Sequence, residues 1–259
     1  MDFIRAGIIV LVIAFSAIPA SAGFTVSGQM SVRTTPTIAA STTIVAGGLI
    51  GFYDFEEGTG SVATDSSGSG HTGTLVNDPA RVDGVSGDAL FLSSANSQYV
   101  TLANPSTMAG DRTAFTVNLW FRTNFGTKGK LYAEGNTGTA TQHLYLSVNE
   151  NADGDFEYGM RDDASASLFP TTTTALKDDN WHMLTVRQAS KSSHEILTDG
   201  VSWVTDTTLI GTLTLDQATI GALCRTSCLQ FWQGYVDQVR VYDKALTDGE
   251  IAALYAARQ

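Results

Sequence analysis

From Gly48 onward the chain repeats one pattern: short runs of β-branched and aromatic residues, such as LIGFYDF, QYVTL, FTVNLWFRT, HLYLSVN, DFEYGMR, HMLTVRQ and FWQGYVDQVRVY. Gly, Asn, Asp and Ser separate the runs, and no helical period appears before Leu246. Short strand-like runs at this spacing predict antiparallel strands joined by turns. The expected fold is all-β, an antiparallel two-sheet jelly-roll sandwich with a short C-terminal helix. Sandwiches commonly exceed 200 residues as one domain, so residues 48–259 are read as a single domain.

Apolar residues make up 43% of the 259 and charged residues only 16%, which fits a globular β protein rather than a disordered chain. The formal charge of −11 argues against a nucleic-acid partner or an anionic membrane surface, both of which need basic stripes. Acidic loops of this kind leave room for Ca²⁺.

The first 22 residues read as a segment apart. Arg5, an apolar run from Ala6 to Ala17, Pro19 and then Ala20-Ser21-Ala22 form the pattern of a secretory signal with a cleavage site after Ala22. The expected localisation is export, to a periplasmic or extracellular space. The alternative is an uncleaved N-terminal hydrophobic helix, because no residue from Ala6 to Val26 is charged and roughly 20 apolar residues are enough to cross a bilayer. Residues 23–47, rich in Ser and Thr, read as a linker or an extended arm with strand-prone fragments.

Cys224 and Cys228 stand four apart between two strand-like runs. In an exported protein such a pair is expected to close a small loop disulfide that staples one hairpin. A zinc site wants about four ligands, and no further Cys or His is near in sequence.

Four stretches carry a resemblance. They are GLIGFYDFEEGTGSVATDSSGSGHTGTL near the start, FTVNLWFRT in the middle, NWHMLTVRQ with LTDG later, and FWQGYVDQVRVYDKALTDGEIAALY at the end. In order and interval this set resembles the laminin-G-like jelly roll of the concanavalin A-like lectin and glucanase superfamily over residues 48–257. In that family an opening Y-x-F-D/E-E-G-x-G, then D-x-S-G-x-G-x-x-G, and a closing F-x-G-x-I-D-x-V-R-I-Y-x-x-A-L-x-x-x-E-I frame the domain. The resemblance implies a structural Ca²⁺ where the N-terminal loop meets the closing strand. Carried over by position, Asp65 and Asp237 are its acidic candidates, with Ser66, Gly68 and His71 near enough in sequence to add backbone oxygens.

Period two in the closing strand puts Tyr235, Asp237, Val239 and Val241 on one side. Asp237 is then a carboxylate among apolar neighbours, which must be hydrogen-bonded or metal-bound. After it, Thr247 and Glu250 have the spacing of a capping box, followed by an apolar stripe of Ile251, Leu254 and Tyr255.

Catalysis is not expected. Glucanases of the superfamily carry paired acids as E-x-D-x-E or E-x-D-x-x-E on one strand, and glycoside hydrolysis needs two carboxylates about 5 to 9.5 Å apart. No such spacing occurs here, nor does G-x-S-x-G or H-E-x-x-H. The formal G-x-G-x-x-G from Gly68 to Gly73 lacks the strand-helix context of a dinucleotide fingerprint.

Three function classes are therefore ordered. The first is a non-catalytic module recognising a glycan or a surface protein, with Trp203, Asn151 and Arg161 as ligand-binding candidates on end loops. Among the four tryptophans, Trp203 is expected to be the exposed one, available to stack on a sugar ring. The second is an accessory subunit tied to a membrane complex by its N-terminal segment, and the third is a glycan-active enzyme.

Overall fold

The computed structural model describes residues 45–105, 108–148, 155–164, 167–168 and 176–258. The N-terminal hydrophobic segment therefore lies outside the described residues, as does all of the arm except residues 45–47.

The strands are β1 (Leu49–Tyr53), β2 (Val62–Ala63), β3 (Gly73–Val76), β4 (Ala80–Asp83), β5 (Asp88–Leu92), β6 (Tyr99–Leu102), β7 (Phe115–Arg122), β8 (Gly129–Gly135) and β9 (His143–Val148). They continue with β10 (Phe156–Arg161), β11 (Ser167–Leu168), β12 (His182–Ser190), β13 (Ser193–Thr198), β14 (Val201–Asp206), β15 (Gln217–Ile220), β16 (Leu223–Cys224), β17 (Cys228–Leu229) and β18 (Gly234–Tyr242), and helix α1 (Asp248–Ala256) ends the series. Every pairing is antiparallel. One sheet runs β14-β13-β12-β7-β18-β5-β4 with β1 also on β18, and the other runs β11-β10-β9-β8-β15-β6-β3-β2.

Between the sheets lies the main core, and the sequence alternation explains which side chains enter it. Leu144, Leu146 and Val148 of β9, and Phe156, Tyr158 and Met160 of β10, point inward. Period two then sends His143, Tyr145 and Ser147 to the opposite face. Strand β7 is buried on both faces because both are covered, although one face carries Thr116, Asn118 and Arg122 beside Trp120. Phe115, Val117, Leu119 and Phe121 belong to the main core, while Trp120 lies in a second cluster with Met183, Leu197, Tyr242, Leu246, Ile251 and Leu254.

Helix α1 supplies that cover. Thr247 accepts the Glu250 N–H and the Glu250 side chain accepts the Thr247 N–H, so the capping box is formed. Such a cap is worth about 1 kcal/mol. Arg187 anchors the same end by donating to the Leu246 carbonyl at 2.8 Å and to Asp248 at 2.7 Å. Tyr255 stacks on the Trp120 ring with centroids 5.6 Å apart.

The alternation expected for β18 fails in its middle. Val236 is in the main core, and so are Val239 and Val241, an odd step that needs an extra residue. A β-bulge lies between Asp237 and Arg240, with Gln238 in the left-handed region at φ 50°. The bulge turns Asp237 away from Val239 and Val241, so the four residues do not share one face as period two predicts.

Candidate functional site

The bulge marks a fork. On one side β18 pairs with β7 along its length. On the other, Gly234–Val236 pair with β5 while Val239–Tyr242 pair with β1. Asp237 stands where one partner gives way to the next. Its Oδ2 accepts the Val85 N–H at 2.9 Å and the Ser86 N–H at 3.3 Å, and its Oδ1 accepts the Gln238 N–H at 2.6 Å. One carboxylate thus closes the gap by holding the tip of the β4–β5 hairpin.

Glycine makes that approach possible. A Cβ on Gly84 would stand 2.5 Å from the Asp237 Oδ2, and one on Gly87 would collide with the Glu56 carboxylate. Glu56 accepts the Asp88 N–H at 2.9 Å, so two carboxylates grip the hairpin from its two sides. Asp237 is fully buried, and burial pushes its carboxyl up to about 7 against the pull of its three N–H donors.

Beside the fork opens a cleft of about 400 Å³ whose lining includes Asp54, Glu56, Gln238, Arg240, Trp120 and Arg258. Phe55 explains the two acids. Its ring is fully buried and its φ is 58°, a strained value for a bulky residue. That turn lets Phe55 enter the core while Asp54 and Glu56 on either side of it both face the cleft. Arg240 lies over the Phe52 ring at 4.3 Å and donates to the Gln238 carbonyl at 3.1 Å. Arg258 lies 5.6 Å from the Trp120 ring centre. The cleft offers both donors and acceptors to a hydroxylated ligand. In the sequence Asp54 and Glu56 of YDFEEG match the opening strand and turn of the resembled family, where acids support the fold, and that reading does not show that the turn at Phe55 brings both to a cleft with Arg240 and Arg258.

Asp65 serves a different loop. Its Oδ1 accepts from the Phe52 N–H at 3.0 Å, the Ser67 N–H at 3.0 Å and the Ser67 hydroxyl at 2.6 Å, and its Oδ2 accepts the His71 N–H at 2.9 Å. The His71 carbonyl in turn receives the Tyr53 hydroxyl at 2.7 Å. Burial alone would raise the Asp65 carboxyl, but the donors from Ser67, His71 and Phe52 outweigh it and hold it below the usual carboxylate range.

Asp65 and Asp237 share no hydrogen-bond partner, and each directs its oxygens at N–H groups. Ca²⁺ takes 6–8 oxygen ligands. Among the described residues no three His, Cys, Asp or Glu side chains gather where they could hold a metal. The donor set as built fits a pair of loop anchors better than a calcium cage.

Trp203 sits on β14, an edge strand, and is 46% exposed. Trp120 and Trp232 are buried, and Trp181 is half-buried. The pairing of β14 with β13 slips at Trp203: Ile196 faces Val204, and the next residue, Leu197, faces Ser202. Trp203 is thus the extra residue of a bulge, a device that re-aims a side chain. Val201, at the start of the same strand, is 59% exposed. Arg161 ends β10 in the other sheet, opposite His143. Next to Arg161, Asp162 accepts the N–H of Gly211, on the segment that links β14 to β15, at 2.7 Å. Asn151 lies outside the described residues. Cys224 and Cys228 are joined, 3.9 Å apart at Cα, across the β16–β17 hairpin, whose Leu223 and Leu229 pack on Ala133 and Tyr145.

Residues 94–252 match a laminin-G-type family model described as the concanavalin A-like lectin/glucanases superfamily. No curated protein matches the chain. Among solved structures, the binding domain of Paraclostridial Mosquitocidal Protein 1 aligns at TM-score 0.65 and 15% identity over 80% of this chain. The chain spans 52% of that structure's length. Domain 4 of AbnA, a GH43 extracellular arabinanase from Geobacillus stearothermophilus, in complex with arabinotriose, aligns at TM-score 0.63 and 17% identity, covering 80% of this chain and 98% of the other. The binding domain of botulinum neurotoxin DC in complex with rat synaptotagmin II aligns at TM-score 0.63 and 12% identity, covering 82% and 52%. At these identities the likeness is one of fold.

Proposed function

Because the chain belongs to the concanavalin A-like lectin/glucanase superfamily, we propose that it is an exported, non-catalytic binding module that recognises a glycan or a surface protein. The observation that carries this reading is Trp203, 46% exposed at a bulge on an edge strand, with Val201 of the same strand also exposed. An indole offers a ligand a large apolar face and a polar N–H, which suits it to stacking on a sugar ring or anchoring a protein contact. The carriers of similar folds support the reading, since one is in complex with arabinotriose and another with synaptotagmin II. A non-catalytic role is supported by the acids at the fork and the Asp65 loop, which hold backbone N–H groups in place.

Screening the purified chain on a glycan array and against surface-protein ectodomains tests the proposal. Trp203→Ala is expected to abolish the signal while leaving the thermal midpoint unchanged. Binding untouched by that substitution removes Trp203 as the contact.

A second reading has its own observation. The uncharged run from Ala6 to Val26 is long enough to anchor the chain to a membrane assembly as an accessory subunit. Intact mass of the protein from its native cells separates the two, with a mature N-terminus at Gly23 supporting export and retained Met1 in the membrane fraction supporting the anchor.

A further inference from the structure

The outer face of the β7 sheet carries a second surface, apart from Trp203, at the margin of the second core cluster. Phe91 of β5, Tyr235 of β18 and Arg122 of β7 are register partners across three strands, so their side chains stand in one row. The Phe91 and Tyr235 rings are 5.0 Å apart, and Trp181 meets Tyr235 at 6.2 Å. All four residues are half-buried, neither sealed in the core nor free in solvent. Phe125, 38% exposed, extends the row at 6.4 Å from Phe91.

Arg122 is the centre of the row. Its guanidinium lies 3.9 Å over the Tyr235 ring and 5.6 Å from the Trp181 ring. Among the described residues its buried Nε has no hydrogen-bond partner, and its ion contact, Asp179 Oδ1 at 3.7 Å, is longer than a hydrogen bond. Asp179 itself is 55% exposed. A guanidinium held flat on aromatic rings keeps its planar fork of donors pointed along the surface, where it matches a carboxylate bidentately. The rings beside it present apolar faces to whatever carries that carboxylate.

From this geometry we propose that the Phe91–Tyr235–Arg122–Trp181 row is a binding site for a carboxylate-bearing sugar, such as a uronic or sialic acid residue. The carboxylate pairs with Arg122 and the ring packs on the aromatics. Charge complementarity selects the acidic sugar: the carboxylate that Arg122 meets among the described residues, Asp179, stands 3.7 Å away and is 55% exposed, so a ligand carboxylate can compete with it for the guanidinium. Overall repulsion does not defeat it, because charges beyond about 8 Å are screened at physiological salt. Asp179 is the local competitor. The inference rests on the glycan-recognition reading above but uses a different surface.

The test is calorimetric titration of the full chain at physiological salt with an oligogalacturonate, sialyllactose, a neutral galacto-oligosaccharide and an acidic peptide. Binding to one or both acidic sugars and not to the neutral one is expected, and the pattern between them tells uronic from sialic acid. Arg122→Gln is expected to weaken that binding at least about tenfold, Arg122→Lys less, and Asp179→Asn to strengthen it. Trp203→Ala is expected to leave it unchanged. Equal binding of neutral and acidic sugars, binding of the peptide alone, or indifference to Arg122→Gln in a variant with unchanged thermal midpoint overturns the proposal. If some glycan binds through Trp203 and none through Arg122, the recognition reading stands and this inference falls; if no glycan binds at all, both fall.

Discussion

Asp65 and Asp237 do the same job in two environments. Each carboxylate fixes a loop by accepting several N–H bonds, three of them from the backbone in either case. Yet the carboxyl of Asp65 is held low while that of Asp237 is pushed up to about 7. The difference is water. Asp65 keeps some exposure at 8% and adds a hydroxyl donor from Ser67, whereas Asp237 is sealed at 0% in the fork of β18 with Glu56 near it. Hydrogen bonds stabilise a carboxylate, but they do not fully replace solvation once burial is complete.

The largest break in this comparison is Asp237→Ala. It leaves the Val85, Ser86 and Gln238 N–H groups without their acceptor and loosens the hairpin, at a cost of about 3 kcal/mol. Urea unfolding measures it. Asp65→Ala is expected to cost about 2 kcal/mol, because water can reach part of its loop and replace lost bonds. Gly84→Ala attacks the Asp237 anchor from the other side, since its Cβ would meet the Asp237 Oδ2 at 2.5 Å, and a loss of about 1–2 kcal/mol is expected. Equal losses for Asp65→Ala and Asp237→Ala would erase the distinction drawn between them.

The pH dependence sharpens it, with opposite signs. For Asp237 the folded carboxyl sits at about 7 against 3.8 in the unfolded chain, so the native state holds the extra proton between those values. Stability from this group is greatest below pH 4 and declines as pH rises toward 7. For Asp65 the folded value lies below 3.8, so its contribution is full above that point and is lost as pH falls further. Stability curves from pH 2 to 8 are expected to lose the neutral-side decline in Asp237→Asn and the acid-side decline in Asp65→Asn. The smallest effect concerns calcium. As neither carboxylate is part of a described cage, exchanging EDTA for millimolar CaCl₂ is expected to move the thermal midpoint by less than about 2 °C. A larger rise would place a calcium ion in the protein.

How much of this was legible in the sequence follows from where each signal is encoded. Period two reads a strand correctly when one face is core and the pleat is unbroken, as in Leu144, Leu146 and Val148. The capping box of Thr247 and Glu250 is likewise local, so its spacing suffices. The two bulges are not local. The one at Asp237 exists because β18 changes partner from β5 to β1 there, and the one at Trp203 depends on pairing with β13. Neither partner change is written in the strand's own residues. The short strands β2, β3 and β4 were hidden in a Gly/Ser-rich stretch whose local composition reads as turn, and tertiary pairing overrides it. In the aromatic row, Trp181 packs against the margin of the second core cluster as its family position suggests, and only the register of three strands shows Phe91, Tyr235 and Arg122 side by side. Trp203 could be anticipated as exposed because it follows a turn, but its bulge could not.

Glycan-array binding of the purified chain, compared with that of Trp203→Ala at matched folding, tests the central claim most directly. The account predicts a ligand signal in the parent chain that disappears in the variant while the thermal midpoint holds. A signal that survives the substitution, or turnover of the glycan by the parent chain, would contradict it.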